Sequence, residues 1–109
     1  MKTIYPTDHG AKRKARVREV YHEDDIRIVQ GDSRQALAEI PDNTFQCCIT
    51  SPPYWGLRDY GINGQIGAEN DPDAYIADLV GVFREVRRTL REDGTLWLNI
   101  GDSYTSGDR

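Results

Sequence analysis

The stretch Phe45-Gln46-Cys47-Cys48-Ile49-Thr50-Ser51-Pro52-Pro53-Tyr54 decides how this chain folds and where its chemistry lies. Residues 45–50 are apolar or β-prone and predict a strand. Two prolines then end it, because each has a fixed φ and no N–H to donate to a ladder. The rigid corner brings one hydroxyl, one proline carbonyl and one aromatic ring around the same small volume. We interpret it as an active-site corner; the alternatives are a proline-stiffened surface loop and a polyproline ligand for an aromatic-lined groove.

The residues before this stretch predict a strand and a helix. Residues 26–30 are short and β-branched and run into a Gly-Asp turn. Residues 33–40 then place apolar side chains at helical spacing, with Asp32 or Ser33 as N-cap and a proline directly after. A helix between two strands makes a crossover, so strands 26–30 and 45–50 are expected to be parallel.

The residues after the corner predict a loop, a helix and a strand. Residues 51–71 carry glycines among polar and aromatic residues, as long functional loops do. Asp71 and Pro72 supply an N-cap and an N1 proline for the helix, and residues 92–94 end it before a third strand at 95–100. The apolar stripe of the helix consists of Ile76, Leu79, Val80, Phe83, Val86 and Leu90. This order of elements predicts an α/β fold with an open, mostly parallel sheet of about three strands and two helices.

The charge of the chain is acidic overall and basic in two places. A formal net charge of -4 and a pI of about 5.1 argue against a surface that binds nucleic acid everywhere. A first basic set is Lys12, Arg13, Lys14, Arg16 and Arg18. We expect residues 1–23 to form a basic arm that approaches a phosphate backbone or a partner protein, or that is merely solvated. A second set, on the long helix, is Arg84, Arg87, Arg88 and Arg91. There, compensation of the helix dipole is favoured over contact with DNA.

The corner belongs to the longer run Thr50-Ser51-Pro52-Pro53-Tyr54-Trp55-Gly56-Leu57-Arg58-Asp59-Tyr60-Gly61, which closely resembles the amino-methylating DNA methyltransferases. These enzymes modify N4 of cytosine or N6 of adenine. The other similar segments are residues 31–33, Leu37, Ile40, 65–70, the amphipathic run to Leu90 and 93–104. The resemblance is to the N-terminal portion of the permuted, beta-like group with a Ser-Pro-Pro-Tyr corner. It implies a partial Rossmann-like methyltransferase fold, S-adenosyl-L-methionine as cofactor and double-stranded DNA as partner.

The corner suits the chemistry that this resemblance implies. An exocyclic amine is a poor nucleophile because its lone pair is delocalised into the ring, so acceptors must hold its hydrogens and aim the lone pair at a methyl group. We expect Ser51 Oγ and the Pro52 carbonyl to accept these two hydrogens. Pro53 is then expected to fix the corner, and Tyr54 to stack on a base flipped out of the duplex. The resemblance implies the same roles.

Further residues are expected to hold the cofactor and the DNA. Ligands of open α/β sheets collect at the carboxyl ends of strands, which favours Asp32, Ser33 and Ser51 as cofactor residues. Asp32 is an equally good helix cap, and Asp102 could either line the same cleft or begin a turn. The expected nucleic-acid contacts are Tyr54, Trp55, Arg58, Lys12, Arg13 and Lys14. Trp55 and Tyr60 could instead pack the loop against the sheet.

The two cysteines and the apolar segments exclude several other classes. Cys47 and Cys48 are adjacent, so a strand points them to opposite faces; we expect neither a disulfide nor a metal site, and interpret both as core residues. A thiolate nucleophile, as in cytosine C5-methyltransferases, is disfavoured because neither cysteine follows a proline. No signal-peptide core and no membrane-length apolar run occurs. A cytoplasmic, nucleoid-associated protein of bacterial or phage origin, without membrane contact, is expected.

One part of the family pattern is missing. The glycine loop of Phe-x-Gly-x-Gly type, which binds the methionine part of the cofactor, does not occur in this sequence. We therefore expect residues 24–109 to be the N-terminal catalytic half of a methyltransferase domain: a truncated chain, one piece of a split enzyme, or a small descendant that only binds. Such a half-sheet is expected to self-associate or to need a C-terminal complementing half.

The sequence thus predicts a site-specific DNA methyltransferase, or its catalytic half, of the restriction-modification kind. Ser51 at the first corner position favours N4 of cytosine, because the adenine enzymes more often carry Asp there. The alternatives are an N6-adenine methyltransferase, a non-catalytic DNA- or protein-binding module, and a methyltransferase acting on RNA or a protein amide.

Overall fold

A computed structural model describes residues 17–101 of the chain. It begins with an antiparallel hairpin of β1, Arg18–Glu23, and β2, Ile26–Gln30. Asp24 takes a left-handed φ of 49° in the connecting turn, a conformation that Asp tolerates better than most residues. Across the strands, the Arg27 guanidinium donates to Glu19 over 2.9 Å. The first two strands are therefore neighbours both in sequence and in the sheet.

The two strand pairs correct three expectations. Residues 18–23, assigned above to the basic arm, form β1, and β2 pairs antiparallel with β1. The described residues contain two separate two-stranded sheets, so the parallel pairing expected between residues 26–30 and 45–50 is wrong, as is the single sheet of about three strands. The hairpin forms because a two-residue turn brings β1 against β2 at little cost in chain entropy.

The second sheet is parallel, as expected, and carries the corner. It consists of β3, Phe45–Thr50, and β4, Leu90–Leu98, paired in register from Cys47 opposite Thr95 to Thr50 opposite Leu98. Helix α1, Ser33–Ala38, precedes β3, and helix α2, Pro72–Thr89, connects the two strands. The molecule is thus an α/β protein with two helices and one parallel strand pair.

Helix α2 begins where the sequence predicted and ends earlier. Asp71 is its N-cap, accepting from the Ala74 amide over 2.8 Å, and Pro72 is its first residue. The helix ends at Thr89 and β4 starts at once, rather than at residues 92–94 and 95. The Thr44 amide donates to the Thr89 carbonyl over 2.8 Å, so the chain entering β3 satisfies the helix end directly.

The core lies on one side of α2. Its buried members are Ile66, Tyr75, Leu79, Val82 and Val86, with Cys48, Trp55, Phe83 and Leu90 packed against them. Leu79 and Val86 were expected in the stripe, but Ile76 and Val80 are exposed. The buried face follows spacings of 4, 3, 4 and 3 residues from Tyr75 to Thr89, because α1, β3 and the loop approach from that side.

Arg88 ties the two helices together. Its guanidinium donates to the carbonyls of Leu37 and Ile40, at 2.8 Å each, and pairs with Asp42 at 2.7 Å. These carbonyls lie in the last turn of α1 and just beyond it; the Leu37 carbonyl also accepts from the Ile40 amide over 3.0 Å. Arg88 therefore connects α2 to the end of α1, a role that the sequence did not predict; compensation of the helix dipole stays a prediction. No described helix has the length and apolarity needed to cross a membrane.

Candidate active site

The Ser-Pro-Pro-Tyr corner lies at the carboxyl end of β3, as predicted. The Asn99 amide donates to the Thr50 carbonyl over 3.0 Å, so the two parallel chains stay together just past the end of β4. Ser51 follows directly and is exposed. Within residues 17–101 its hydroxyl has no hydrogen-bond partner. A small polar molecule can therefore reach it.

The carbonyls of the two prolines differ in what they contact. The Tyr75 hydroxyl donates to the Pro53 carbonyl over 2.6 Å, a short and therefore strong hydrogen bond. No donor from the described part of the chain reaches the Pro52 carbonyl. Two acceptors at the corner, Ser51 Oγ and Pro52 O, thus have no donor among the described residues, while the third, Pro53 O, accepts from Tyr75.

Tyr54 is half-buried at the end of the sheet. A Cβ atom on Gly101 would lie 3.3 Å from Cε2 of the Tyr54 ring, so the ring packs against bare backbone just beyond β4. On the other side of the corner, Gly67 has a φ of +102°, and a Cβ there would lie 2.9 Å from the Tyr54 carbonyl oxygen. The Gly56 amide donates to the Gly67 carbonyl over 2.7 Å. The loop therefore folds back tightly onto the corner.

Trp55 anchors this loop. Its indole N–H donates to the Glu69 carbonyl over 2.9 Å, and its ring packs against the core. These contacts agree with the alternative in which Trp55 packs the loop against the sheet. Stacking of Trp55 on DNA remains a prediction. The Glu69 carboxylate accepts from the Gly67 amide through Oε2 over 2.8 Å, whereas Oε1 is buried without a hydrogen-bond partner among the described residues.

Asp32 has the capping role that was one of its two expected roles. It accepts from the Arg34 amide over 2.9 Å at the start of α1 and from the Arg34 guanidinium over 3.0 and 2.6 Å. This carboxylate raises the pKa of Arg34, which remains a cation. Arg34 also donates to the Gly64 carbonyl over 2.8 Å, so Asp32 is connected to the loop that follows the corner. Ser33 is exposed beside it.

The remaining candidate residues are spread out or undescribed. Arg58 is exposed on the loop, where its carbonyl accepts from Gln65 over 2.8 Å. Tyr60 is also exposed on this loop. Asp102 lies outside residues 17–101, as do three of the basic candidates: Lys12, Arg13 and Lys14. The structure thus brings Ser51, the two prolines and Tyr54 together, and leaves the expected basic contacts to DNA untested.

The two adjacent cysteines of β3 lie on opposite faces of the strand. Cys48 packs against the core, and burial raises the pKa of its thiol, with a smaller contribution from Cys47. Cys47 points to the other face and is exposed, so the expectation that both are core residues is only half right. Both are free thiols. Within residues 17–101, no three metal-ligating side chains of His, Cys, Asp or Glu lie close enough to hold an ion.

Sequence reasoning missed Tyr75, Glu69 and Gly67. Tyr75 lies in the first turn of α2 and was left out of the expected stripe in favour of Ile76. A signal for it was present, since Tyr75, Leu79, Val82, Val86 and Thr89 repeat at the 3- and 4-residue spacing of a buried helical seam. For Glu69 no such signal exists, because its contacts depend on how the loop folds.

Comparison with known proteins gives the family. A family profile described as DNA methylase matches residues 45–107, which is more than half of the chain. Type II methyltransferase M.SmaI of Serratia marcescens is 64% identical over 83 residues, which cover 76% of this chain and 28% of the relative. Type II methyltransferase M.XycI of Xanthomonas campestris pv. cyanopsidis is 54% identical over 82 residues, covering 75% and 27%.

A third relative gives a similar match. Type II methyltransferase M.MwoI of Methanothermobacter wolfeii is 50% identical over 78 residues, or 72% of this chain and 12% of that protein. The chain thus spans little more than a quarter of the curated relatives M.SmaI and M.XycI. No solved structure matches it. The profile match, which includes the strand, the corner and helix α2, shows that this chain belongs to the DNA methylase family.

Proposed function

We propose that the chain is the N-terminal catalytic part of a site-specific DNA methyltransferase. It transfers a methyl group from S-adenosyl-L-methionine to an exocyclic amine of a base in double-stranded DNA, with N4 of cytosine favoured. The observation that carries this proposal is the state of the three acceptors at the corner. Pro53 O is engaged by Tyr75, whereas Ser51 Oγ and Pro52 O accept no hydrogen bond from residues 17–101 and are left for a ligand.

Two open acceptors match the two hydrogens of an exocyclic amine. Held by Ser51 Oγ and Pro52 O, the amine turns its lone pair out of conjugation with the ring and toward an electrophile. The cofactor supplies that electrophile, a methyl group on a sulfonium. With the amine held by Ser51 Oγ and Pro52 O, the bound cofactor would supply the methyl group and leave as the neutral thioether. The proton shed by the methylated amine would pass to water, because both acceptors are neutral groups and not bases. No covalent bond to the protein is needed.

The exposed part of Tyr54 is suited to stacking on the base. Its ring is fixed from one side by the Gly101 backbone, so a base that leaves the duplex meets a preorganised aromatic surface. Cofactor contacts are assigned to Ser51, Ser33 and Asp32. The hydroxyl groups of both serines lie on exposed residues, which fits a ligand at this edge of the chain. Asp32, already bonded to Arg34, holds the turn that presents Ser33.

The base itself is assigned from the corner residue. Serine at the first corner position favours the cytosine amine, because the adenine enzymes that the chain resembles more often carry Asp there; N6 of adenine is the alternative. DNA contacts from Arg58 and the basic residues at positions 12–14 belong to the same proposal. We place the protein in a bacterial or phage restriction-modification context, because the similar proteins are Type II methyltransferases.

The test is transfer of labelled methyl from S-adenosyl-L-methionine to mixed-sequence DNA by the complete protein, followed by nucleoside chromatography. Label in N4-methylcytosine is expected; label in N6-methyladenine would correct the base, and label in neither would contradict the enzyme and favour a binding role. Ser51→Ala should lower kcat at least about tenfold while leaving cofactor binding nearly intact, because Ser33 and Asp32 keep their proposed cofactor contacts. Thr95→Val, which removes an exposed hydroxyl in β4, is the matched control and should leave kcat unchanged.

A further inference from the structure

Tyr75 is the one side chain in the described part of the chain whose polar group bonds to the backbone of the corner. Its ring belongs to the core and is 9% exposed, and its hydroxyl reaches Pro53 O, 22 residues earlier in the chain, over 2.6 Å. Helix α2 presents it from the first turn, which the Asp71 cap holds in place. A rigid, buried ring thus ends in a hydrogen bond at the corner.

We propose that Tyr75 is a positioning residue for methyl transfer: its hydroxyl locks the Pro53 carbonyl and so aims the Pro52 carbonyl at the substrate amine. The inference rests on the proposed function, which it deepens. Tyr75 itself touches neither substrate nor cofactor. It acts through the two prolines.

The physical argument concerns the few dihedral angles of the corner. The peptide plane that carries the Pro52 carbonyl is joined to the Pro53 carbonyl by φ and ψ of Pro53 alone. The pyrrolidine ring fixes φ near about −65°, so only ψ is free to rotate. The hydrogen bond from Tyr75 removes that freedom by holding the Pro53 carbonyl in one direction. Pro52 O is therefore preorganised relative to the core, at no cost when the substrate binds.

The alternative use of Pro53 O is also blocked. If its carbonyl were open, three acceptors would compete for two amine hydrogens, and the amine could be held in a second, unreactive orientation. Engagement by Tyr75 leaves only the pair Ser51 Oγ and Pro52 O. The hydroxyl stays a donor, because burial, the Glu69 carboxylate and Tyr54 all raise the pKa of Tyr75 above its usual value near 10. The hydrogen bond from the Tyr75 hydroxyl to Pro53 O is therefore present throughout the neutral pH range.

Tyr75→Phe in the complete protein tests this inference, because it removes the hydroxyl and keeps the buried ring. The matched control is Tyr21→Phe, which removes a hydrogen bond of the same length, 2.6 Å to Glu23, on the exposed β1 strand. We expect Tyr75→Phe to lower kcat by about tenfold to a hundredfold, with KM for DNA and cofactor within about twofold. Tyr21→Phe should match the unchanged protein. An unchanged kcat, or a loss confined to KM, would overturn the inference.

A second measurement is independent of catalysis. The rate of amide hydrogen exchange at Tyr54, Gly56 and Leu57, which follow Pro53, should rise about tenfold in Tyr75→Phe. The exchange rates in the β1–β2 hairpin should not change. No rise, or an equal rise in the hairpin, would overturn the lock. If the unchanged protein transfers no methyl while this local rise is seen, the proposed function fails and the lock stands as a structural device without that reaction.

Discussion

At the scale of single residues, the corner depends on two neighbouring glycines, whose side chain is a single hydrogen atom. Gly67 lies against the Tyr54 carbonyl with a positive φ, and Gly101 lies against the Tyr54 ring. A larger residue at either position would displace the corner. At Gly67, only glycine combines this close approach with a left-handed backbone at little cost.

Gly67→Ala should therefore destabilise the protein and disturb the corner. We expect a loss of about 1–2 kcal/mol from the backbone conformation alone, because alanine is strained at positive φ. Gly81 is the matched control: it lies in the exposed middle of α2, and a Cβ atom added there would meet nothing within 4 Å. Gly81→Ala should stabilise by about 0.5–1 kcal/mol through helix propensity. Urea unfolding of both variants measures the difference, and equal effects would contradict the tight approach at Gly67.

At the scale of elements, helix α2 organises the site. It holds Tyr75 against the corner, Arg88 against the end of α1, and passes directly into β4. Its start is encoded locally by Asp71 and Pro72, so the sequence predicted it. Where the helix ends and which of its faces is buried depend on the elements that pack against it. The apolar stripe predicted from the sequence therefore included Ile76 and Val80, which are exposed.

Two truncations distinguish the observed face of α2 from the expected one. Leu79 is 8% exposed, so Leu79→Ala should cost about 2–5 kcal/mol, from lost burial and the cavity left behind. Ile76 is 55% exposed, and Ile76→Ala should cost less than about 0.5 kcal/mol. Thermal or urea unfolding of the 109-residue chain gives both values. Similar losses at the two positions would mean that Ile76 is covered as well.

At the scale of the whole molecule, the β3–β4 sheet has an open apolar face. Ile49 and Trp97 lie opposite each other in register and are 81% and 65% exposed. Strand pairs of the parallel type are normally covered on both faces by helices. Here α2 covers one face, and on the other an apolar surface meets solvent. We propose that a second copy or a complementing C-terminal half covers it.

The 109-residue chain is expected to self-associate through this face. Light scattering coupled to gel filtration should give a mass above 12.4 kDa that rises with concentration. Ile49→Thr with Trp97→Thr keeps β-prone residues in both strands but removes the apolar contact, and should shift the chain toward monomer. Leu57→Thr, at an exposed loop residue outside the sheet, is the control and should have no effect. A monodisperse monomer for the unchanged chain would contradict self-association and leave a complementing C-terminal half as the partner of this face.

The sequence by itself determined the strand that ends in Ser51-Pro52-Pro53-Tyr54, the start of α2, the parallel β3–β4 connection and the family. These features depend on residue types in short windows: prolines that end a strand, a polar cap before a proline, and apolar runs of element length. Asp32 shows the limit of such reasoning, since capping and cofactor binding use the same residue type at the same place.

The tertiary structure alone decided how these elements meet. It paired β2 with β1, selected the buried face of α2, and joined Tyr75 to Pro53 and Arg88 to Leu37 across 22 and 51 residues of sequence. Periodicity shows that a face is apolar, but not which surface covers it. A hydrogen bond between distant residues forms only where packing brings the two groups within about 3 Å, and no local pattern encodes that distance.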